Sequence, residues 1–390
     1  MLQRLVLLLF STQVALEVAA QEIDTPDGAA DALTLANAQV YLSGDSIPAY
    51  AASVLHCGVN RFRSGGLVRV DRRVNTTPNS QFNIGANAKS MLASVAGRYL
   101  ERGQLEFDAT IAELWPAAGQ IAPDKGAITL GQLLAHRSGL SAFSDVAEIA
   151  RVPEFSGKPA DIRRQAAMWL LEQPLVSEPG TVTAYSNAGY VVAGVLLARV
   201  SGRPLEVMLR EELFEPLGLG ARLGSAERVE EPFGHYLDQG QLRVNLSLEP
   251  RVPKFLDAAG NISLSAPDYA AYLQVHLCGL QGIETGYLRS ETIRRLHGLA
   301  GEDSAPLGWS RVSIAGAKIS FHVDTVGDFS AFVALAPDLD FAVLAMLNVG
   351  GEAAAPGSTW LVDAVSQAAL SRSPQAVDAK LPEPDPDQMR

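Results

Sequence analysis

The amino-acid sequence predicts an α/β fold of the α+β kind: an antiparallel β-sheet flanked by helices, with an inserted, mostly helical domain. Three observations predict it. Short runs that alternate apolar and turn-forming residues fill "QVYLSGDSIPAYAASVLHCGVNRFRSGGLVRVDRRV" and read as two or three antiparallel strands. From Ala86 the apolar period becomes helical and stays so to about residue 250. Strand signals then return, and strands, helices, strands is the order of a sheet whose two parts flank an insertion. With 390 residues, 47% of them apolar, the chain can bury a large core.

Met91, Leu92, Val95, Ala96, Tyr99 and Leu100 recur at helical spacing, and Gly103 follows Arg102 as a C-terminal stop. Ala86 and Lys89, three apart, share one face of the first turn of this predicted helix. Further helices are expected in "ITLGQLLAHRSGL", "ADIRRQAAMWLLEQ" and "NAGYVVAGVLLARVSGRPLEVMLREELFEPLGL", the last closed at Ser201 and Gly202 before a second short helix. A loop and then a helix fit "AAGNISLSAPDYAAYLQVHLCG". The runs "AKISFHVDT", "DFSAFVALAP" and "LDFAVLAMLNV", separated by turn residues, suit an antiparallel meander. "STWLVDAVSQAALS" reads as a closing helix, and the acidic, proline-rich "PEPDPDQMR" as a disordered tail. The expected organisation is a signal peptide over residues 1–20, one domain over 21–375 and a tail over 376–390. Within the domain the sheet part spans about 35–85 and 251–370, and the helical part about 86–250.

Arg4, the run "LVLLLF" and then "VALEVAAQ", with small residues at Val18 and Ala20, form the pattern of a secretory signal cleaved near Ala20. An exported mature chain, periplasmic or extracellular, is the expectation, with an ordinary buried helix as the alternative. No later stretch approaches 18 uncharged apolar residues, so no membrane span is expected after cleavage. The 43 acidic against 31 basic residues give a formal charge of −12, which disfavours nucleic acid or an anionic membrane as a partner. Cys57 and Cys278 form either a single bridge, in an oxidising compartment, or two unpaired core thiols. The six histidines include no HxH or HExxH pair and no cysteine pair has zinc spacing, so no metal or other cofactor is expected. No GxSxG, GxxxxGK[ST] or strand-following GxGxxG is present.

Six segments, taken in order, carry a different constellation: "FNIGANAKSMLASVAGRYLERGQLEFDATIAELWP", "LGQLLAHRSGLS", "EPGTVTAYSNAGYVVAGVLLARVSGRPL", "AAGNISLSAPDYAAYLQ", "PLGWSR" and "FHVDTVGDFSAFVALAPDLDFAVLAMLN". Together they resemble the serine β-lactamase and penicillin-binding-protein superfamily, and most closely its class C β-lactamase-like branch of esterases and D-stereospecific peptidases, over residues 45 to 370. The resemblance implies a β-lactamase/transpeptidase-like fold. It also implies acyl-enzyme chemistry: the serine of an SxxK motif at a helix start attacks a carbonyl, and the lysine one turn on takes its proton. Helix-start N–H groups would stabilise the developing oxyanion. On that basis Lys89 corresponds to the SxxK lysine, Tyr185 and Asn187 to the tyrosine and asparagine of a Tyr-x-Asn loop, and His322 to the first residue of a Lys-Thr-Gly or His-x-Gly motif.

Two positions depart from the pattern. Ala86 replaces the serine, and Asp324 replaces the glycine two residues after His322. No other SxxK occurs, and Ser90 would point about 100° away around the helix. Losing such a nucleophile costs about 10⁶-fold in turnover, or about 8 kcal/mol of barrier. The expectation is therefore a binding or regulatory pseudoenzyme with a small-molecule or peptide-like ligand in its cleft, its oligomeric state open. Asp324 favours natural loss of the serine over the alternative of an active hydrolase carrying an engineered Ser-to-Ala change at Ala86, because one such change would leave the third motif intact. A second alternative is a weak or rerouted hydrolase of esters or amides, with Lys89 or Tyr185 as general base and the Ala86 and Thr325 N–H groups as oxyanion donors. A third is a vestigial cleft on a structural protein.

Overall fold

The computed structural model describes residues 26–116, 121–224, 230–246, 252–301, 304–314, 316–326 and 328–371. The expected signal segment and acidic tail, residues 1–20 and 376–390, lie outside the described residues. Helix α1 (Pro26–Leu42) leads into strands β1 (Ala49–His56), β2 (Val59–Arg69), β3 (Arg72–Asn75) and the short β4 (Phe82–Asn83). Helices α2 (Ala88–Glu101), α3 (Pro159–Glu172) and α4 (Asn187–Ser201) follow, with shorter helical turns between them. Next come β5 (Arg222–Leu223), the β6–β7 hairpin (His235–Asp238, Gln241–Val244), β8 (Ile262–Leu264), α5 (Ala266–Leu280) and α6 (Ser290–Leu296). Strands β9 (Ser310–Ile314), β10 (Ala317–Val326), β11 (Phe329–Ala336) and β12 (Phe341–Leu347) precede the closing α7 (Ala355–Ser371).

The main sheet is seven-stranded and antiparallel, in the order β3-β2-β1-β12-β11-β10-β9. Its central strands read as continuous apolar runs because both faces are covered. Along β12, Ala342, Leu344 and Met346 join one core, while Phe341, Val343, Ala345 and Leu347 join the other. In β11 the division repeats, with Ala331, Val333 and Leu335 on one face and Phe332, Ala334 and Ala336 on the other. The second core is closed by α1 and α7, which approach the sheet so tightly that a Cβ at Gly357 would stand 2.4 Å from the Phe332 ring. On the first face lie α5 and the whole helical region.

Three expectations are corrected. Helix α1 includes Gln39–Leu42, which reads as strand because "QVYL" alternates; Leu35, Ala38 and Leu42 at helical spacing instead face the sheet. Its end is tied to α7 by the Tyr41 phenol, which donates to Asp363, and by Trp360 Nε1, which donates to the Thr34 carbonyl at 3.2 Å. Strands β5, β6 and β7 fall inside the stretch expected to be helical. They are two to four residues long and carry no readable period, although Gln239 and Gly240, both at positive φ, form the turn a two-residue hairpin needs. The helix expected across "ITLGQLLAHRSGL" is only Leu130–Leu134, opened by a Thr129 and Gln132 capping box.

Of the two cysteine alternatives, the structure takes the bridge: Cys57, after β1, is bonded to Cys278 near the end of α5. The closed loop spans 221 positions, so the bond restricts the unfolded chain strongly. Reduction, or a Cys57→Ser/Cys278→Ser double change, is expected to lower stability by roughly 2–4 kcal/mol. Thermal unfolding with and without dithiothreitol checks this, and an unchanged melting temperature would show that the bond does not form in solution.

Candidate functional site

Helix α2 starts at Ala88, two residues later than its spacing suggests, and Ala86 sits in a preceding 3₁₀ turn, Gly85–Asn87. Gly85 takes φ +53°, open to glycine at little cost, and turns the chain into the buried helix. A chain of buried polar groups fixes this turn. The Gly85 N–H donates to Asn83 Oδ1 at 2.9 Å, Asn83 Nδ2 donates to Asn261 Oδ1 at 3.1 Å, and Asn261 Nδ2 donates to Asp257 Oδ1 at 2.7 Å. Arg163 closes the chain with 2.7 and 2.6 Å contacts to Asp257 and Glu206. Asn87, fully buried, donates to the Ala331 carbonyl of β11 and accepts from the Tyr269 phenol at 2.9 Å.

Lys89 has no exposed surface. Its Nζ donates to Asn187 Oδ1 at 2.8 Å and to the Ala259 carbonyl at 2.6 Å, and lies 4.9 Å from the Tyr185 ring centre and 5.4 Å from that of Tyr190. Burial pushes its pKa down to about 7, against an opposing upward pull from the Asp324 charge. The Ala259 carbonyl comes from a turn whose Gly260 packs on the nucleophile position: a Cβ there would stand 3.2 Å from Ala86 N. Sequence reading missed this acceptor because a backbone carbonyl leaves no residue signature.

Asn187 is the first residue of α4; the N-cap is Ser186, whose Oγ accepts from Gly189 N at 3.1 Å. The amide of Asn187 is thus available to hold Lys89, while its Nδ2 donates to the Phe143 carbonyl at 2.9 Å. Tyr185, 43% exposed, packs at 4.7 Å against the ring of His136, whose Nδ1 accepts from Ser186 N at 3.1 Å. Burial first, and then the Lys89 charge, holds the His136 pKa down at about 3, so the ring is neutral. Burial likewise raises the Tyr185 pKa. His136, at φ +57°, turns the chain after the short helix Leu130–Leu134, and its ring supports Tyr185.

On the opposite wall, β9 pairs with β10 only as far as Phe321, leaving the edge of β10 beyond it without a β9 partner. Asp324 projects there, and its Oδ2 accepts from the Ala86 backbone N–H at 2.6 Å. Burial raises the Asp324 pKa, while hydrogen bonds from the Ala86 and Thr325 N–H groups and the charge of Lys89 pull it down. Of the Ala86 and Thr325 N–H groups, expected as oxyanion donors, that of Ala86 is thus engaged by a side chain of the protein itself. Thr325 Oγ1 pairs with Ser330 Oγ at 3.0 Å. His322, two residues before Asp324, is buried with its pKa lowered to about 3, by burial first and then by Lys89 and His136.

One cavity of about 520 Å³ gathers Ala86, Lys89, Tyr185, Asn187, Asp324 and Thr325. His322 is not among its lining residues. Ser144, Ile149, Val252, Pro253 and Leu256 are, and sequence reading did not single them out, because apolar side chains such as Ile149, Val252 and Leu256 look alike whether they face a ligand or a core. Chemically the cavity offers an amine base near neutrality and a phenol, but a methyl where a nucleophile would stand. Among the described residues no group of three His, Cys, Asp or Glu side chains converges as metal ligands do.

A family model described as Beta-lactamase matches residues 35–367. An unguisins hydrolase of Aspergillus campestris is 26% identical over 295 residues, covering 70% of this chain and 53% of that protein. Penicillin-binding protein 4 of Amycolatopsis lactamdurans is 24% identical over 239 residues, 59% of this chain and 60% of its own. The chain therefore spans little more than half the length of these relatives. The octameric penicillin-binding protein homologue from Pyrococcus abyssi superposes with a TM-score of 0.70 at 20% identity, over 88% of this chain and 77% of that one.

The Lys89 environment makes a titration prediction. In protein labelled with ¹³C at lysine Cε, one resonance should titrate near pH 7, well below the ordinary lysine value of about 10.4. Because the Asp324 charge raises the Lys89 pKa, Asp324→Asn should move that midpoint further down. A lysine set that titrates uniformly above pH 9, or an upward shift in Asp324→Asn, would contradict this geometry.

Proposed function

We propose that this chain, which belongs to the β-lactamase family, is an exported ligand-binding pseudoenzyme that has left acyl-enzyme chemistry. The observation that carries the reading is the 2.6 Å hydrogen bond from the Ala86 N–H to the Asp324 carboxylate. It places the Asp324 carboxyl where a substrate's oxyanion would develop, and the residue carrying that N–H has no hydroxyl. Each loss is severe by itself: about 10⁶-fold for a nucleophile and about 10²–10³-fold for one oxyanion donor. The two are not additive, since a donor cannot stabilise an intermediate that never forms. Export is supported by the signal-like N-terminus and by the Cys57–Cys278 bridge, which persists in oxidising compartments.

One observation favours a second reading, a slow hydrolase in which Lys89 activates water: the amine has its pKa near 7, where a general base works best. That route forms no covalent adduct. It still lacks the Ala86 oxyanion donor, which is given to Asp324, and the pseudoenzyme reading is therefore the stronger.

Restoring the serine should separate the two losses. Ala86→Ser alone is expected to label slowly with a fluorophosphonate probe, and Ala86→Ser/Asp324→Gly about 10²-fold faster. Turnover of p-nitrophenyl esters by the unmodified protein at rates close to those of active relatives, abolished by Lys89→Ala, would overturn the reading.

A further inference from the structure

Resting on the non-hydrolytic reading of this cleft, we infer that it selects ligands that present an ammonium group to Asp324 and an apolar body to the opposite walls. A site of the acyl-transfer kind offers two N–H donors to a ligand's carbonyl oxygen. Here the Ala86 N–H is already given to Asp324 Oδ2 at 2.6 Å, so the same spot now presents a carboxylate, an acceptor, to whatever enters. The polarity of the recognition point is reversed.

The remaining side chains do not restore it. Lys89, the only cation among the described residues lining the cavity, directs its hydrogens to Asn187 Oδ1 and the Ala259 carbonyl and is boxed in by the Tyr185 and Tyr190 rings. Two of its three ammonium hydrogens are thereby committed within the protein. Both ends of the Asn187 amide are committed as well, one to Lys89 and the other to the Phe143 carbonyl. Asp324 is the only carboxylate among the described lining residues, and no side chain among the described residues donates to it. An ammonium placed against it gains a charge-assisted hydrogen bond in a partly dry site, worth about twice a neutral one. Tyr185, 43% exposed at the rim, adds an aromatic ring to which a cation is attracted. Ile149, Val252 and Leu256 supply apolar wall for the rest of the ligand. The formal charge of −12 over the whole chain draws cations toward it and repels anions.

A series of three probes with one apolar body tests this: 2-phenylethylamine, 2-phenylethanol and 3-phenylpropionate, titrated calorimetrically into the full chain. The amine should bind at least tenfold more tightly than either of the others. Asp324→Asn keeps an oxygen to accept from the Ala86 N–H while removing the charge, so the fold survives, as circular dichroism can check, and the preference for the amine should fall to within about twofold. Equal or tighter binding of the carboxylate, no binding of the amine, or an undiminished preference in folded Asp324→Asn would each overturn the inference. Ester turnover measured on the same preparation reports separately on the pseudoenzyme reading, so failure of one is distinguishable from failure of the other.

Discussion

The backbone N–H of Ala86 points out of the turn that opens a buried helix, where no carbonyl of that helix can accept from it. In the closed centre of the molecule a donor left unpaired would cost about 1–3 kcal/mol. Asp324 meets it from the free edge of β10 at 2.6 Å. This contact joins the sheet to the helical region at the point where the two meet, and the surrounding polar chain through Gly85, Asn83, Asn261, Asp257 and Arg163 keeps the turn from drifting away from it. Removing Asp257 would leave Arg163 buried with only Glu206 as a carboxylate partner. The position of Ala86 thus depends on charged residues far along the sequence, Arg163, Asp257 and Asp324.

The fold was legible where burial imposes a period. The meander β10–β11–β12 and helices α3, α4 and α7 stand where alternation and helical spacing place them, because each must sort its apolar side chains between a core and another layer. Legibility fails where an element is too short to show a period, as in β5 to β7, or where a helix begins with an alternating stretch, as at the end of α1. The 3₁₀ turn at Gly85–Asn87 hides for a related reason: its Ala86 N–H is met by Asp324, distant in sequence, so local spacing cannot register it.

The site was legible in its side chains and illegible in its backbone. Ala86, Lys89, Tyr185, Asn187, Asp324 and Thr325 are brought around one cavity. What their identities could not convey is direction. Nothing in the letters "FHVDT" says that the carboxylate of Asp324 turns toward the Ala86 N–H, or that His322 lies off the cavity lining. The Ala259 carbonyl, which takes a hydrogen from Lys89, is equally silent, since any residue supplies one. Cap chemistry suits Asn187 as the cap of α4; the structure gives that role to Ser186, and tertiary contacts assign the Asn187 amide to Lys89.

Asp324 also explains why Lys89 persists beside a methyl group. A lysine at a dry site is costly when charged, and its value in an acyl-transfer enzyme lies in the proton it exchanges with a serine. Without that serine an apolar side chain of similar length would seem cheaper, yet two acceptors, Asn187 Oδ1 and the Ala259 carbonyl, are built around the amine and would be stranded by its loss. The Asp324 charge favours the protonated form of Lys89, and Lys89 favours the ionised form of Asp324. Each makes the other less expensive to bury. On the proposed reading the lysine serves as a strut that holds the Tyr185–Asn187 segment and the Gly260 turn at fixed separation.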